Sequence, residues 1–119
     1  MQNSAPNDDA ILDAIRGQIA EYPAILYMKG TPQFPQCGFS SRVVAILKGL
    51  DQPFAYINVL QEPEIRANLP KVSDWPTFPQ LFIGGELVGG CDIIEELHAD
   101  GELAPMFEGL KWPQDEADA

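Results

Sequence analysis

Residues 24–59, AILYMKGTPQFPQCGFSSRVVAILKGLDQPFAYINV, decide the fold of this chain. The apolar run at 24–28 has the length and composition of a buried strand. A loop with two prolines follows at 29–36, and apolar side chains then recur at helical spacing over 38–50. A second strand is predicted at 54–59. A strand, a helix and another strand in this order favour parallel pairing through a right-handed crossover.

The segments on either side add further helices and a hairpin. Gly84-Gly85 separates two short apolar runs and is typical of a tight hairpin turn, because glycine adopts positive φ without strain. Pro70 is expected to end the helix that precedes it. The predicted elements outside the central unit are helices at 10–21, 63–69, 92–99 and 102–110 and strands at 80–83 and 86–88.

This order of elements predicts an α/β protein with a four-stranded mixed sheet flanked by helices. It is the order of the thioredoxin-like fold with one extra helix at the N-terminus and another at the C-terminus. The side chains assigned to the core include Tyr27, Met28, Phe54 and Tyr56, and the apolar face of the helix at 38–50 includes Phe39.

Composition excludes several classes of protein. The 119 residues hold 18 acidic against seven basic side chains, a formal net charge of −11, so the phosphate backbone of a nucleic acid would repel the chain. No apolar run approaches the roughly 20 residues needed to cross a bilayer. Two cysteines are too few for a disulfide scaffold, and with one histidine they cannot complete a four-ligand zinc site. We expect a cytoplasmic protein.

Charge is spread unevenly along the single domain expected over 1–119. Its core is predicted at about 8–110, with an acidic tail at 111–119 that either steers partners or maintains solubility. Residues 29–71 carry five bases and three acids, whereas 92–119 carry one base and nine acids. A locally cationic middle in an acidic chain predicts a site for a small anion, and solvated surface charge is the alternative.

Cys37 is the residue best placed for chemistry. It begins a predicted helix, where unpaired N–H groups and the helix dipole stabilise a thiolate, and Lys29 adds positive charge from the other end of the loop. The alternative is a small buried side chain. Because Ser40 occupies the position of a resolving cysteine, Cys37 needs a second thiol from Cys91, from a small molecule or from another chain.

Three motifs resemble those of one protein family. They are KGTP and PQCGFS at 29–32 and 35–40, WPTFPQ at 75–80 and GGCD at 89–92. Their order and spacing resemble the monothiol glutaredoxins of the CGFS type, and the similarity covers about residues 8–110. The resemblance implies that Cys37 is the catalytic, redox-active residue.

The resemblance also implies a groove for glutathione, with both ends of the tripeptide held by charge. It assigns Lys29 and Arg66 to the glycyl carboxylate, where charge-assisted pairs are stronger than neutral hydrogen bonds. Lys71 also falls where the family has a basic residue, and the resemblance supports its contact with glutathione least.

At the other end, the resemblance implies that the N–H groups of GGCD, including that of Cys91, hold the γ-glutamyl carboxylate while Asp92 meets the ammonium group. An ordinary helix N-cap is the alternative for Asp92. The Phe78–Pro79 bond is usually cis in this fold, which leaves the Phe78 backbone to pair with the cysteinyl part of glutathione. Trp75 is either a packing residue or part of a loop that distinguishes the CGFS proteins.

A thiolate beside glutathione supports either thiol–disulfide exchange or metal binding. A 2Fe-2S cluster usually has four thiolate ligands, and two Cys37 residues of a homodimer with two glutathione molecules supply four. Two Cys37 and two Cys91 residues are the alternative set, and a Cys37–Cys91 disulfide under oxidation also stays open.

The resemblance therefore implies a carrier that transfers a 2Fe-2S cluster to apo-proteins, with at most weak enzyme activity. The alternatives are a glutathione-dependent oxidoreductase that removes glutathione from proteins, and a regulatory module that shares a cluster with a BolA-family protein. Residues 33–36 lengthen the loop relative to the dithiol members, and we expect this loop to place the glutathione sulfur better for ligation than for attack.

Overall fold

The computed structural model describes the backbone of residues 4–112 and the side chains of residues 9–112. Within that part of the chain the helices and strands follow the predicted order. They are α1 Ser4–Glu21, β1 Ala24–Met28, α2 Gly38–Leu50, β2 Ala55–Asn58, α3 Pro63–Ser73, β3 Gln80–Ile83, β4 Glu86–Gly89, α4 Cys91–Ala99 and α5 Leu103–Phe107.

The four strands form one mixed sheet in the order β2-β1-β3-β4. β1 pairs in parallel with β2, in a register that places Leu26 opposite Tyr56. β3 pairs antiparallel with both β1 and β4, and its ladder with β4 is irregular between Leu81 and Phe82. The predicted thioredoxin-like fold with a four-stranded mixed sheet is confirmed.

The core lies on both faces of this sheet, because the side chains of β1 point alternately to either side. Ala24, Leu26 and Met28 pack with residues of α2, α4 and α5. Ile25 and Tyr27 pack on the other face with residues of α1 and α3. Both central strands are buried along their whole length, which explains why their apolar runs do not alternate with polar residues.

The predicted end of α3 at Pro70 is wrong, because the helix continues to Ser73. The backbone of Asp74, with φ +55°, ends the helix there and donates its N–H to the Pro70 carbonyl at 2.8 Å. Leu69 is fully buried and Val72 packs against the same cluster. Their packing offsets the one helical hydrogen bond that a proline cannot donate.

Two side chains assigned to the apolar interior are instead exposed. Tyr56 is 42% exposed because β2 is an edge strand, and Phe39 is 53% exposed in the first turn of α2. Tyr27 and Met28 are fully buried as predicted, and Phe54 packs against the core.

The terminal helices also differ from their predicted bounds. α1 begins at Ser4 rather than near residue 10, and α5 is shorter than 102–110. Most of the predicted acidic tail lies outside the described residues. Trp112, the last described residue, packs against Tyr22 with ring centroids 6.4 Å apart. Across the described residues, every helix is too short or too polar to cross a membrane.

Candidate functional site

Cys37 is the N-cap residue of α2, and its side chain is half-buried. The backbone N–H of Ser40 lowers the pKa of the Cys37 thiol from its ordinary value, and the N–H of Phe39 and the charge of Lys29 act in the same direction. Desolvation of the thiol opposes this shift. The shift has the direction that the sequence predicts, and the accessible thiol speaks against the alternative of a buried cysteine.

The loop before Cys37 is closed on itself. Gly30 and Pro35 form an isolated β-bridge, and the N–H of Gln36 donates to the carbonyl of Lys29 at 2.9 Å. Gly30 has φ +94°, and a β-carbon there would lie 2.6 Å from the Gln36 nitrogen, so this turn requires glycine. The loop therefore brings Lys29 and Cys37, which stand at its two ends, to the same cleft.

A second loop, residues 75–79, connects α3 to β3. Its Phe78–Pro79 bond is cis, as the resemblance implies. The Trp75 side chain is partly buried, and a β-carbon at Gly90 would lie 3.1 Å from its indole nitrogen. Trp75 thus packs this loop against the GGCD segment, and it also lines the cleft beside Asp92.

The two loops and the start of α4 surround two adjoining clefts of about 420 and 440 Å³. The lining of the first, the Cys37 cleft, includes Lys29, Cys37, Phe39, Arg66, Thr77 and Phe78. The lining of the second, the Asp92 cleft, includes Phe39, Thr77, Phe78, Gly90, Cys91 and Asp92. Because Phe39, Thr77 and Phe78 line both, the clefts form the two ends of one groove.

The groove brings together most of the residues that the sequence points to. Those in its lining are Lys29, Cys37, Arg66, Phe78, Cys91 and Asp92. Lys71 is exposed on α3 and lies outside the lining of both clefts. The groove is therefore cationic at the Cys37 end, where Lys29 and Arg66 lie.

The N-terminus of α4 forms the opposite end. Gly90 is its N-cap residue and Cys91 its first helical residue, so Asp92 lies within the first turn and the N-cap alternative for Asp92 is wrong. A helix N-terminus carries unpaired N–H groups and a partial positive charge, which suit a carboxylate. The Asp92 side chain beside it suits an ammonium group.

Cys91 differs from Cys37 in burial and in protonation. Only 7% of Cys91 is exposed, and burial raises the pKa of its thiol, with the charge of Glu95 acting in the same direction. Glu95 is itself held by two hydrogen bonds from the Arg42 guanidinium, at 2.8 and 2.9 Å. The Cys37 thiol therefore ionises more readily than the Cys91 thiol.

One cluster in the described part of the chain has the composition of a metal site. The sulfur of Cys91 and carboxylate oxygens of Asp92 and Glu95 all lie within 4.8 Å of one another. Arg42 already pairs with Glu95, and burial raises the pKa of the Cys91 thiol. These contacts compete with metal binding there.

Phe39 and Thr77, which line both clefts, are not among the site residues that the sequence predicts. Phe39 was placed on the apolar face of α2 by its spacing, but it projects into the groove next to Cys37. Its position in the first turn, beside the cysteine, was the available signal. Thr77 lines both clefts and carries no sequence signal beyond its place in the motif at 75–80.

A groove that leads past a half-buried, activated cysteine at a helix N-terminus defines a thiol-dependent protein with the thioredoxin-like fold. Residues 24–88 match the family model described as Glutaredoxin, and the chain belongs to the glutaredoxin family. With Ser40 in place of a second active-site cysteine, it is a monothiol glutaredoxin.

Similar proteins confirm this assignment. The chain is 53% identical over 106 residues to Glutaredoxin 4 of Pasteurella multocida, an alignment that covers 87% of this chain and 97% of that protein. It is 47% identical to the reduced poplar apo GrxS14 solution structure, with a TM-score of 0.67 and coverage of 84% and 89% of the two chains. It is 30% identical to a buckwheat glutaredoxin crystallised with glutathione, with a TM-score of 0.77 and coverage of 88% and 94%.

Proposed function

We propose that this chain binds glutathione along the groove and, as a homodimer, carries a 2Fe-2S cluster to apo-proteins. The observation that carries the proposal is the contrast between its two thiols. Cys37 is half-buried and has a lowered thiol pKa, whereas Cys91 is buried and has a raised thiol pKa. One chain therefore offers one readily ionised thiol, and glutathione is the small thiol that complements it.

The distribution of charge along the groove supports the binding of glutathione in one orientation. Lys29 and Arg66 pair with the glycyl carboxylate at the Cys37 end. The N–H of Cys91 and the carboxylate of Asp92 take the amino-acid end of the γ-glutamyl group. The Phe78 backbone, which lies between them, binds the cysteinyl part. The buckwheat relative, crystallised with glutathione, supports this binding.

Lys71 is the least supported contact. It is exposed on α3 and lies outside the lining of the groove. We retain it as an outer contact that adds to the positive potential near the glycyl end rather than as a direct partner.

The ligand count for the cluster follows from the same contrast between thiols. Thiolates are the usual ligands of a 2Fe-2S cluster, and four are needed. Two Cys37 residues and two glutathione thiolates supply them, which requires two copies of the chain. The alternative set with two Cys91 residues would need a buried thiol with a raised pKa to become exposed and ionised. Half of the ligands are then exchangeable small molecules, which suits transfer to an apo-protein.

Glutathione-dependent exchange is the second candidate, and the activated Cys37 favours it. The Cys37 thiolate would attack a protein–glutathione disulfide, form a Cys37–glutathione disulfide and release the protein thiolate. A second glutathione thiolate would then release glutathione disulfide and restore Cys37.

A shared cluster with a BolA-family protein is the third candidate, from a different class. The apolar tip of the loop before Cys37 supports an interaction there, because Phe34 is 73% exposed. In each case we place the protein in the cytoplasm, as a single domain.

Anaerobic reconstitution with iron, sulfide and glutathione tests the proposal. Wild type is expected to give a brown dimer with about one cluster per two chains, as four thiolate ligands require. Cys37→Ser, and wild type without glutathione, are expected to stay colourless and monomeric. If wild type takes up no cluster where a control protein does, the carrier function is wrong and deglutathionylation becomes the function to test.

A further inference from the structure

Gln80, the first residue of β3, is a buried polar residue beside the groove. It is fully buried, and its carboxamide nitrogen donates to two successive loop carbonyls, that of Trp75 at 2.9 Å and that of Thr77 at 3.0 Å. Both hydrogens of the amide are therefore used to hold the loop at 75–79. That loop contributes residues to both clefts.

The loop has few other ties to the rest of the fold. Pro76 and Pro79 have no N–H to donate. In the part of the chain that the structure describes, the backbone–backbone hydrogen bonds outside helices and strands include none from residues 75–79. Besides Gln80, the Ser73 hydroxyl holds the loop by accepting the N–H of Trp75 at 3.2 Å. Side chains, rather than a backbone ladder, thus set its position.

We propose that Gln80 is a positioning residue for glutathione, which rests on the proposed binding of glutathione in the groove. Gln80 ties the carbonyls of Trp75 and Thr77 to the central sheet. It thereby fixes the positions of Thr77 and Phe78, which line both clefts. The Phe78 backbone is then held ready for the cysteinyl part of the tripeptide. Gln80 itself touches no reacting atom.

Position 80 requires a donor. The carboxamide oxygen of Gln80 is buried without a hydrogen-bond partner among the described residues, and so is the indole nitrogen of Trp75. The Gln80 carboxamide thus leaves its oxygen unpaired, whereas both of its N–H groups donate to the loop at 75–79. A glutamate of the same shape would place an acceptor against two carbonyl oxygens, and a methionine would remove the donors while keeping much of the volume.

Gln80→Glu and Gln80→Met test the proposal, with Gln61→Glu as the control. Gln61 is exposed after β2 and gives the same change of charge away from the groove. Glutathione affinity is measured by calorimetry on the full chain, below the unfolding range of each variant. The ionisation of Cys37 is followed by thiolate absorbance in a Cys91→Ser background, so that the readout reports one thiol.

Both Gln80 variants are expected to bind glutathione about tenfold more weakly or worse, because the carbonyls of Trp75 and Thr77 lose their donor. The Cys37 pKa is expected to stay at its wild-type value, since α2 and Lys29 set it. Gln61→Glu is expected to bind as wild type does. Amide protons of Gln80 that exchange slowly in the wild-type protein report the two hydrogen bonds directly by NMR.

Wild-type affinity in either Gln80 variant, or rapid exchange of the Gln80 amide protons, overturns the positioning role. A wild-type protein that binds no glutathione overturns the proposed function instead. These two failures are distinguishable, because the first leaves wild-type binding intact.

Discussion

The indole nitrogen of Trp75 lies so close to Gly90 that a β-carbon at position 90 would stand 3.1 Å from it. The Pro79 carbonyl oxygen approaches the same point to 3.3 Å. Two motifs that are distant in sequence are thus packed against each other at the Asp92 end of the groove. Gly90 is the residue that permits this approach.

Gly90→Ala is therefore expected to push the loop at 75–79 outward, destabilise the fold by about 1–2 kcal/mol and weaken glutathione binding. The free energy of unfolding from denaturant titration and the affinity from calorimetry check both effects. Gly49→Ala is the matched control, because a β-carbon there meets nothing within 4 Å. Unchanged stability and affinity in Gly90→Ala would show that the contact is not structurally important.

The alkylation rate of Cys37 is expected to rise with pH around a midpoint below the ordinary pKa of a cysteine, because the backbone N–H of Ser40 lowers the pKa of its thiol. The Cys91→Ser background isolates this thiol. In Cys37→Ser, the remaining Cys91 is expected to react slowly, with a midpoint above the ordinary value, because burial raises its pKa. Equal midpoints for the two thiols would contradict the contrast on which the proposed function rests.

The lowered pKa of the Cys37 thiol also predicts that the stability of the fold depends on pH. A thiolate favoured in the folded state stabilises the protein most above the pKa of the unfolded chain. That contribution is lost as the pH falls through the lowered folded pKa of Cys37. Denaturant titration of wild type and Cys37→Ser at several pH values checks this. The difference in their free energies of unfolding should shrink on acidification, and a difference that widens would contradict the lowered pKa.

Two basic residues of α3 provide a matched pair for the glycyl end of glutathione. Arg66 lines the Cys37 cleft, whereas Lys71 does not. Arg66→Ala is expected to weaken glutathione binding by about three- to tenfold, since a charge-assisted hydrogen bond is lost. Lys71→Ala is expected to have a smaller effect. Calorimetry at two salt concentrations checks the assignment, and equal losses would place the carboxylate elsewhere.

The loop before Cys37 is expected to favour cluster binding over deglutathionylation. Removal of two residues from 33–36 opens the turn that the Gly30–Pro35 bridge closes. We expect faster deglutathionylation and a shorter cluster lifetime, because the glutathione sulfur moves toward a geometry for attack. Rates with a glutathionylated peptide and the decay of visible absorbance measure both, and no change in either would remove the loop from the explanation.

Most of the fold follows from local patterns in the sequence. The apolar run of β1 and the Gly84-Gly85 turn need no distant information. The continuation of α3 past Pro70 could not be predicted, because it depends on the packing of Val72 against the same buried cluster as Leu69. Tyr56 was misplaced because composition does not reveal which strand lies at the edge of the sheet.

The site divides in the same way. Cys37 stands out because its loop and helix adjoin in sequence, and the charge of Lys29 comes with them. Phe39 was misassigned because its helical spacing fits the core equally well. Gln80 carries no signal beyond its place in the motif at 75–80, since its two hydrogen bonds depend on how the loop at 75–79 folds back over β3.

The central claim is that two Cys37 residues and two glutathione molecules hold the cluster. Native mass spectrometry of the reconstituted protein tests it most directly, because the mass counts every component. The expected species is two chains with one 2Fe-2S cluster and two glutathione molecules, unchanged in composition by Cys91→Ser. A cluster-bound dimer without glutathione, lost on Cys91→Ser, would contradict the claim and assign the remaining ligands to Cys91.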